Sequence, residues 1–145
     1  MTNTRSANVI GLGLIGGSIC LALRASGYSV HGEDTVPGRA GDAVSRGIID
    51  AEGLDESAAI TFVATPVNEI TSAVQSALSR TTGWVSDVGS VKSVAAGHAS
   101  DPRYVPGHPM AGSELHGLDG ADSSMFEGAV WVLTCLLYTS DAADD

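Results

Sequence analysis

Near the amino end the sequence reads Val9-Ile10-Gly11-Leu12-Gly13-Leu14-Ile15-Gly16, and this stretch decides the fold. A short apolar run ends at Gly11. The pattern G-x-G-x-x-G then leads into a segment whose apolar residues recur at helical spacing as far as Leu23, with Gly27 placed to end the helix. A glycine loop alone is a weak signal. Between a strand and a helix it predicts the dinucleotide-binding turn of a βαβ unit.

Each glycine of this loop has a predicted task. Gly11 permits a tight turn, Gly13 lets the backbone approach a pyrophosphate, and Gly16 lets the helix pack closely on the strand. The pyrophosphate is expected at the amino end of the helix, where unpaired N–H groups favour anions. Leu14 and Ile15 are therefore predicted cofactor contacts. The alternative is a plain strand-to-helix turn without a ligand.

A second predicted strand, Tyr28 to Asp34, ends in a carboxylate about 18 residues beyond the glycine loop. At this place a carboxylate accepts hydrogen bonds from the adenosine ribose, and it repels a 2′-phosphate. Asp34 is therefore the predicted ribose ligand, and NAD is the predicted cofactor. Glu33 is the alternative ligand, and the nearby Arg39 leaves NADP open.

Strand and helix patterns alternate along the rest of the chain. Pro37 is predicted to open a weak helix that ends before Gly47, Thr65 to cap a helix, and Pro66 to be that helix's first residue. Thr65 and Pro66 are also predicted to contact the cofactor. Further strands are predicted at Ile48-Ile49, Ala58 to Ala64, Trp84 to Ser86 and Ala129 to Leu133, with a helix over Val91 to His98. The alternation predicts an α/β fold with a doubly wound parallel sheet.

Composition narrows the classes of function. The 145 residues are 43% hydrophobic and carry a net charge of −10, which argues against nucleic acid as a partner. No apolar run approaches the roughly 20 residues that a membrane helix needs. Cys20 and Cys135 have no metal or redox spacing, and Cys20 is predicted to be a small core residue. A reducing, cytoplasmic setting is the expectation.

Three more motifs are expected near the carboxyl ends of strands: Thr65-Pro66-Val67, Asp87-Val88-Gly89-Ser90-Val91-Lys92 and Pro106-Gly107-His108-Pro109-Met110-Ala111-Gly112-Ser113-Glu114. Together with the glycine loop they resemble the prephenate dehydrogenase family, in register from about Asn8 to Thr134. The resemblance implies a Rossmann-type NAD-binding domain. It also implies the oxidative decarboxylation of prephenate to 4-hydroxyphenylpyruvate, a step of tyrosine biosynthesis.

The resemblance assigns roles to individual residues. It implies that His108 hydrogen-bonds and polarises the substrate hydroxyl, that Ser90 supports this histidine and the nicotinamide, and that Glu114 belongs to the substrate-side network. Ser90 could also be a helix cap, Glu114 a surface acid, and Asp87 and Lys92 a loop-orienting pair or solvated charges. The small-molecule substrate is predicted to be prephenate, with arogenate as the alternative. The alternative function is that of a non-catalytic NAD-binding module.

Family members continue into a helical domain that dimerises and supplies basic residues for the substrate carboxylates. The expectation is that residues 1–134 form the dinucleotide-binding domain, that the helical domain is missing, and that the whole protein is a homodimer through it. Residues 135–145 resemble translated adapter sequence and are predicted to be a non-native tail. This chain alone is expected to bind NAD without turning prephenate over.

Overall fold

The computed structural model describes residues 5–88, 101–110 and 130–133. Five strands form one sheet: β1 (Ser6–Ile10), β2 (Ser29–Glu33), β3 (Ala51–Glu52), β4 (Ile60–Val63) and β5 (Trp84–Asp87). Three α-helices accompany them: α1 (Leu14–Ala25), α2 (Arg39–Ser45) and α3 (Ile70–Arg80), the last preceded by a 3-10 turn (Val67–Glu69). The strand order is β3-β2-β1-β4-β5, and every neighbouring pair is parallel.

The sheet has a hydrophobic core on each face. Successive residues of a strand point to opposite faces, so Val9 and Ile10 of β1 enter different cores. One core takes the apolar residues of α1 and α2, including the fully buried Cys20, and the other takes those of α3. Helices therefore cover both faces, and the predicted doubly wound parallel sheet and the core position of Cys20 are confirmed.

Two predictions between β2 and β4 need correction. Ile48 and Ile49 are buried but form no strand, because their N–H groups bond the Ala43 carbonyl and close the end of α2; the strand is β3, further along. The helix predicted to open at Pro37 begins instead at Arg39, after Gly38 in the left-handed region with φ +80°. The apolar pair indicated burial correctly, but burial does not specify a strand.

A second sheet lies beyond β5. Strand β6 (Gly107–Met110) pairs antiparallel with β7 (Val130–Leu133), and the backbone of His108 lies opposite Val132. The strand predicted over Ala129 to Leu133 is thus found at β7, but outside the parallel sheet that the alternation predicted. An antiparallel pair needs no crossover helix, so the βαβ pattern does not constrain it. The predicted helix over Val91 to His98 lies outside the described residues.

In the described part of the chain, no helix is both long and apolar enough to cross a bilayer.

Candidate functional site

A cleft of about 590 Å³ opens at the carboxyl ends of β1, β2 and β4. This is where parallel α/β sheets bind ligands, at the point where the chain changes direction across the sheet. Its volume lies within the usual range for small-molecule sites. The cleft brings together nine of the predicted cofactor contacts and alternatives: Gly11, Gly13, Leu14, Ile15, Glu33, Asp34, Arg39, Thr65 and Pro66.

The glycine loop is folded tightly against β4. Gly11 has φ +97°, and a Cβ there would come within 2.6 Å of the Ala64 carbonyl oxygen. A Cβ on Gly16 would fall directly onto the carbonyl oxygen of Gly11 and within 3.3 Å of the Ala64 Cβ. Gly11 therefore allows the turn, as predicted. Gly16 lets the first turn of α1 fold under the loop as well as against β4.

Gly13 differs from these two glycines because no contact with the described residues requires it. Its φ is −83°, and a Cβ built on it would meet none of their atoms within 4 Å, its chain neighbours aside. The open space belongs to the cleft, where Leu14 and Ile15 begin α1. No side chain caps α1 and its first turn carries no acidic residue, so its amino end is left to an anionic ligand. This cradle fits the pyrophosphate of a dinucleotide.

Asp34 connects the glycine loop to the turn after β2. Its Oδ2 accepts the Leu12 N–H at 2.7 Å, and its Oδ1 accepts the Val36 N–H at 2.8 Å. The side chain is only 7% exposed, and Arg39 Nη1 lies 3.6 Å from Oδ2. The predicted ribose ligand is therefore held rigidly at the wall of the cleft, with a guanidinium beside it.

Glu33, the alternative ribose ligand, is engaged elsewhere. Its two carboxylate oxygens accept hydrogen bonds from Arg80 at 2.8 and 2.9 Å, so the two side chains form a forked ion pair. This pairing draws the Glu33 carboxylate towards the end of α3. The geometry favours Asp34 over Glu33 as the ribose ligand.

Thr65 does not cap a helix and Pro66 is not the first residue of one, so that prediction is wrong. Pro66 is extended, with φ −55° and ψ 153°, and precedes the 3-10 turn, which has no side-chain cap. The Thr65 hydroxyl oxygen is buried and has no hydrogen-bond partner among the described residues. A buried hydroxyl without a partner is costly, which is the state expected of a group whose partner is a ligand. Both residues line the cleft, as the cofactor prediction requires.

The predicted catalytic residues fall largely outside the described part of the chain. Ser90, Lys92 and Glu114 lie outside it, and His108 is described only by its backbone in β6. Asp87, at the end of β5, is fully buried, so it is not a solvated charge. The described residues that precede Ser90 and His108 in the sequence nevertheless contact each other.

The contact is made by Tyr104, a residue that no sequence motif singled out. The Tyr104 hydroxyl donates to Asp87 Oδ1 at 2.8 Å, and the ring is 4% exposed. Burial, and secondly the hydrogen bond to Asp87, raise the pKa of the Tyr104 phenol well above its usual range. The bond joins the strand that leads to Ser90 to the segment that leads to His108. The apolar pair Tyr104-Val105 was a signal for burial, but not for this partner.

Arg103 is a second residue that no sequence motif singled out. Its guanidinium donates to the carbonyl oxygens of Leu78, Thr81 and Gly83 at 2.6, 2.8 and 3.1 Å. These groups lie at the carboxyl end of α3 and before β5, where a cation is favoured by the helix dipole. Arg103 thus fixes residues 101–106 beside β5 and sets the start of β6.

The fold, the glycine cradle and the acidic residue after β2 define a Rossmann-type nucleotide-binding domain. Residues 19–143 match the family model of the prephenate dehydrogenase nucleotide-binding domain, so the chain belongs to that family. The matched residues run into 135–145, a segment outside the described residues, and the non-native tail there stays a prediction.

Individual relatives agree with this family. Prephenate dehydrogenase of Bacillus subtilis is 35% identical over 141 residues, which cover 86% of this chain and 38% of the relative. Arogenate dehydrogenase of Synechocystis has a similar structure, with 32% identity and a TM-score of 0.81 over 96% of this chain and 54% of that one. Prephenate dehydrogenase of A. aeolicus, in complex with hydroxyphenyl propionate and NAD⁺, is 26% identical with a TM-score of 0.76, over 92% and 51%. The chain spans about two fifths of the length of the Bacillus subtilis relative.

Proposed function

We propose that the cleft binds NAD and that this domain provides the cofactor half of an enzyme that oxidatively decarboxylates prephenate to 4-hydroxyphenylpyruvate. The observation that carries the proposal is the empty face of Gly13 at the uncapped amino end of α1. A pyrophosphate placed there would receive N–H groups of the first turn. The adenosine ribose would then reach Asp34, which lines the same cleft.

The Thr65 hydroxyl supplies independent support. It is buried at the wall of the cleft without a partner in the part of the chain that the structure describes, and a bound cofactor would provide one. The NAD⁺ complex of the A. aeolicus enzyme belongs to the same family, which supports the choice of NAD. The acidic Asp34 favours the same choice because it disfavours a 2′-phosphate.

The proposed chemistry needs little from this domain beyond positioning and one proton that is taken up and returned. NAD⁺ held in the cleft would supply the hydride acceptor for the ring carbon that bears the hydroxyl. His108 would accept the proton of that hydroxyl as it becomes a carbonyl. Carbon dioxide would then leave, the electrons of the broken bond would make the ring aromatic, and the ring oxygen would take the proton back to give the phenol. Ser90 would orient His108, and Glu114 would belong to the substrate-side network. Arogenate, the amino counterpart, is the alternative substrate.

Substrate binding is proposed to require residues beyond this domain. Prephenate carries two carboxylates, whereas the chain has only seven Lys and Arg residues in all. Arg80 and Arg103 are occupied by Glu33 and by main-chain carbonyl groups. In the proposed whole enzyme, a helical second domain grips the carboxylates and forms a homodimer. The chain alone is then expected to bind NAD without measurable turnover.

Calorimetric titration of the purified chain with NAD⁺, and in parallel with NADP⁺, tests the cofactor proposal. The expected result is binding that prefers NAD⁺, with no NADH formed when prephenate or arogenate is added. A chain that is folded by circular dichroism but binds neither cofactor would contradict the proposal. NADH formation from prephenate by the chain alone would contradict the need for a second domain.

Thr65→Val sharpens this test because it removes only the unpartnered hydroxyl. Stability should not fall, while NAD⁺ affinity should drop by about fivefold to tenfold if the hydroxyl bonds the cofactor. Thr82→Val is the matched control. Its hydroxyl is exposed, donates at 3.3 Å to the Glu56 carbonyl, and lies away from the cleft. Equal affinities of the two variants would remove Thr65 from the cofactor site.

A further inference from the structure

Asp34 and Arg39 form an ion pair at the adenosine end of the cleft. Arg39 is the first residue of α2, lines the cleft and is about one third exposed, with Nη1 3.6 Å from Asp34 Oδ2. At that distance the two charges attract each other, but the contact is too long for a strong hydrogen bond. The guanidinium therefore remains close to a wall of the site while its charge is neutralised by Asp34.

The Asp34 carboxylate is also fixed from the other side. The Leu12 and Val36 N–H groups occupy one position on each oxygen, and the carboxylate is almost completely buried. Asp34 thus cannot turn away to admit a second anion, whereas Arg39 has exposed surface and a flexible side chain. Of the two charges, the positive one is the one that can reorient.

We infer that Arg39 is a second determinant of cofactor choice. It is a latent ligand for the 2′-phosphate of an adenine dinucleotide, because the charge of Asp34 neutralises the Arg39 guanidinium. The inference rests on the proposed binding of a dinucleotide in this cleft. With Asp34 ionised, a 2′-phosphate meets a carboxylate that is held in place. Without that charge, the same position offers an unpaired guanidinium, the side chain best suited to a phosphate.

The neighbouring charges support this division of roles. Glu33 is neutralised by its forked pair with Arg80, so it neither repels the phosphate strongly nor competes for Arg39. Arg46 lies on the same helix but pairs with Asp42 at 3.4 Å and is absent from the cleft wall. Arg39 is thus the cation of α2 that the structure places at the adenosine end.

The test is a set of titrations with NAD⁺ and NADP⁺ on Asp34→Asn, Arg39→Gln and the double variant. Asparagine is close in shape to aspartate and keeps an acceptor for one of the two N–H groups. Asp34→Asn should bind NADP⁺ at least about tenfold more tightly than the unchanged chain, and the double variant should lose that gain. Arg46→Gln in the Asp34→Asn background is the matched control and should retain it.

The outcomes separate this inference from the proposed function. If the unchanged chain binds neither cofactor, the proposed function fails. If it binds NAD⁺ but Asp34→Asn gains no NADP⁺ affinity, or if the gain survives Arg39→Gln, the role of Arg39 is overturned.

If the Asp34→Asn chain does not fold, the Arg39→Gln variant still tests the inference, because it keeps both hydrogen bonds of Asp34 to the loop N–H groups. Arg39→Gln alone should then weaken NADP⁺ binding at least about threefold more than NAD⁺ binding. An equal effect on both cofactors would overturn the inference.

Discussion

Gly13→Ala should separate cofactor binding from stability. The new methyl group would enter open space, since no atom of the described residues beyond its chain neighbours lies within 4 Å of that position, and φ −83° suits alanine. Reduced freedom of the unfolded chain favours alanine by about 0.4–1 kcal/mol. The preference for glycine over alanine at a helix N-cap acts in the opposite direction by a similar amount. The free energy of unfolding should therefore change by no more than about 0.5 kcal/mol.

Binding should respond quite differently. The methyl group would stand where the pyrophosphate must approach the N–H groups of α1. Loss of one charge-assisted hydrogen bond corresponds to about 1.5–3 kcal/mol, a decrease in NAD⁺ affinity of roughly tenfold to a hundredfold. Isothermal titration calorimetry with NAD⁺ and urea unfolding on the same preparation measure the two quantities.

Gly16→Ala is the matched substitution with the opposite expectation. Its methyl group would overlap the Gly11 carbonyl oxygen, a backbone atom that cannot move without opening the turn. Overpacking of this kind costs about 1–3 kcal/mol, and a backbone obstacle favours the upper end. A Gly13→Ala variant that keeps its NAD⁺ affinity, or is destabilised as much as Gly16→Ala, would refute the assignment of the cradle.

Three further predictions concern the parts that support the cleft. Arg103→Ala removes three hydrogen bonds to carbonyl groups and should lower the urea-unfolding free energy by about 2–3 kcal/mol. Arg46→Ala breaks an exposed ion pair with Asp42 and should lower it by about 0.5 kcal/mol or less. Equal losses would contradict the stabilising role of the Arg103 hydrogen bonds. The pKa of the Tyr104 phenol is raised above its ordinary value of 10.0. The phenol therefore contributes its full stabilisation below about pH 10 and loses it as the pH rises further. Tyr104→Phe should flatten this alkaline decline in the free energy of unfolding, and an unchanged slope would show that Tyr104 does not cause the decline. Burial raises the pKa of the Cys20 thiol to about 12. In a Cys135→Ser chain, a thiol reagent should therefore modify Cys20 only at the rate of unfolding. Fast modification at neutral pH would contradict the place of Cys20 in the core.

The sequence predicted the parallel sheet well because that information is local and repeated. A glycine loop between a strand and a helix, an acidic residue after the second strand and a buried apolar strand each constrain the same topology. It failed where an apolar or capping residue has more than one use. Ile48 and Ile49 were buried as expected but close a helix, and Thr65 precedes a helix without capping it.

The contacts that fix the second half of the domain could not be predicted in this way. Tyr104 meets Asp87 across 17 residues of sequence, and Arg103 reaches carbonyl groups 20 to 25 residues away. No periodicity or spacing rule encodes such partners, because they follow from how the chain returns to β5 after leaving it. The residue types Arg103 and Tyr104 indicate that this short connection is bonded to the rest of the domain, but not which groups it bonds.

The contacts of Asp34 explain why a substitution there changes both the stability of the glycine loop and the choice between NAD and NADP. One carboxylate accepts the Leu12 N–H of the glycine loop, accepts the Val36 N–H of the next turn and neutralises Arg39. A residue that removes the charge but keeps an acceptor preserves part of the loop while it frees the arginine. A residue that removes both also leaves the N–H of the buried Leu12 without a partner, at a cost of about 1–3 kcal/mol, whereas the exposed Val36 N–H can bond to water instead. The stability of the loop therefore restricts the replacements that can alter cofactor choice at this position to those that still accept a hydrogen bond.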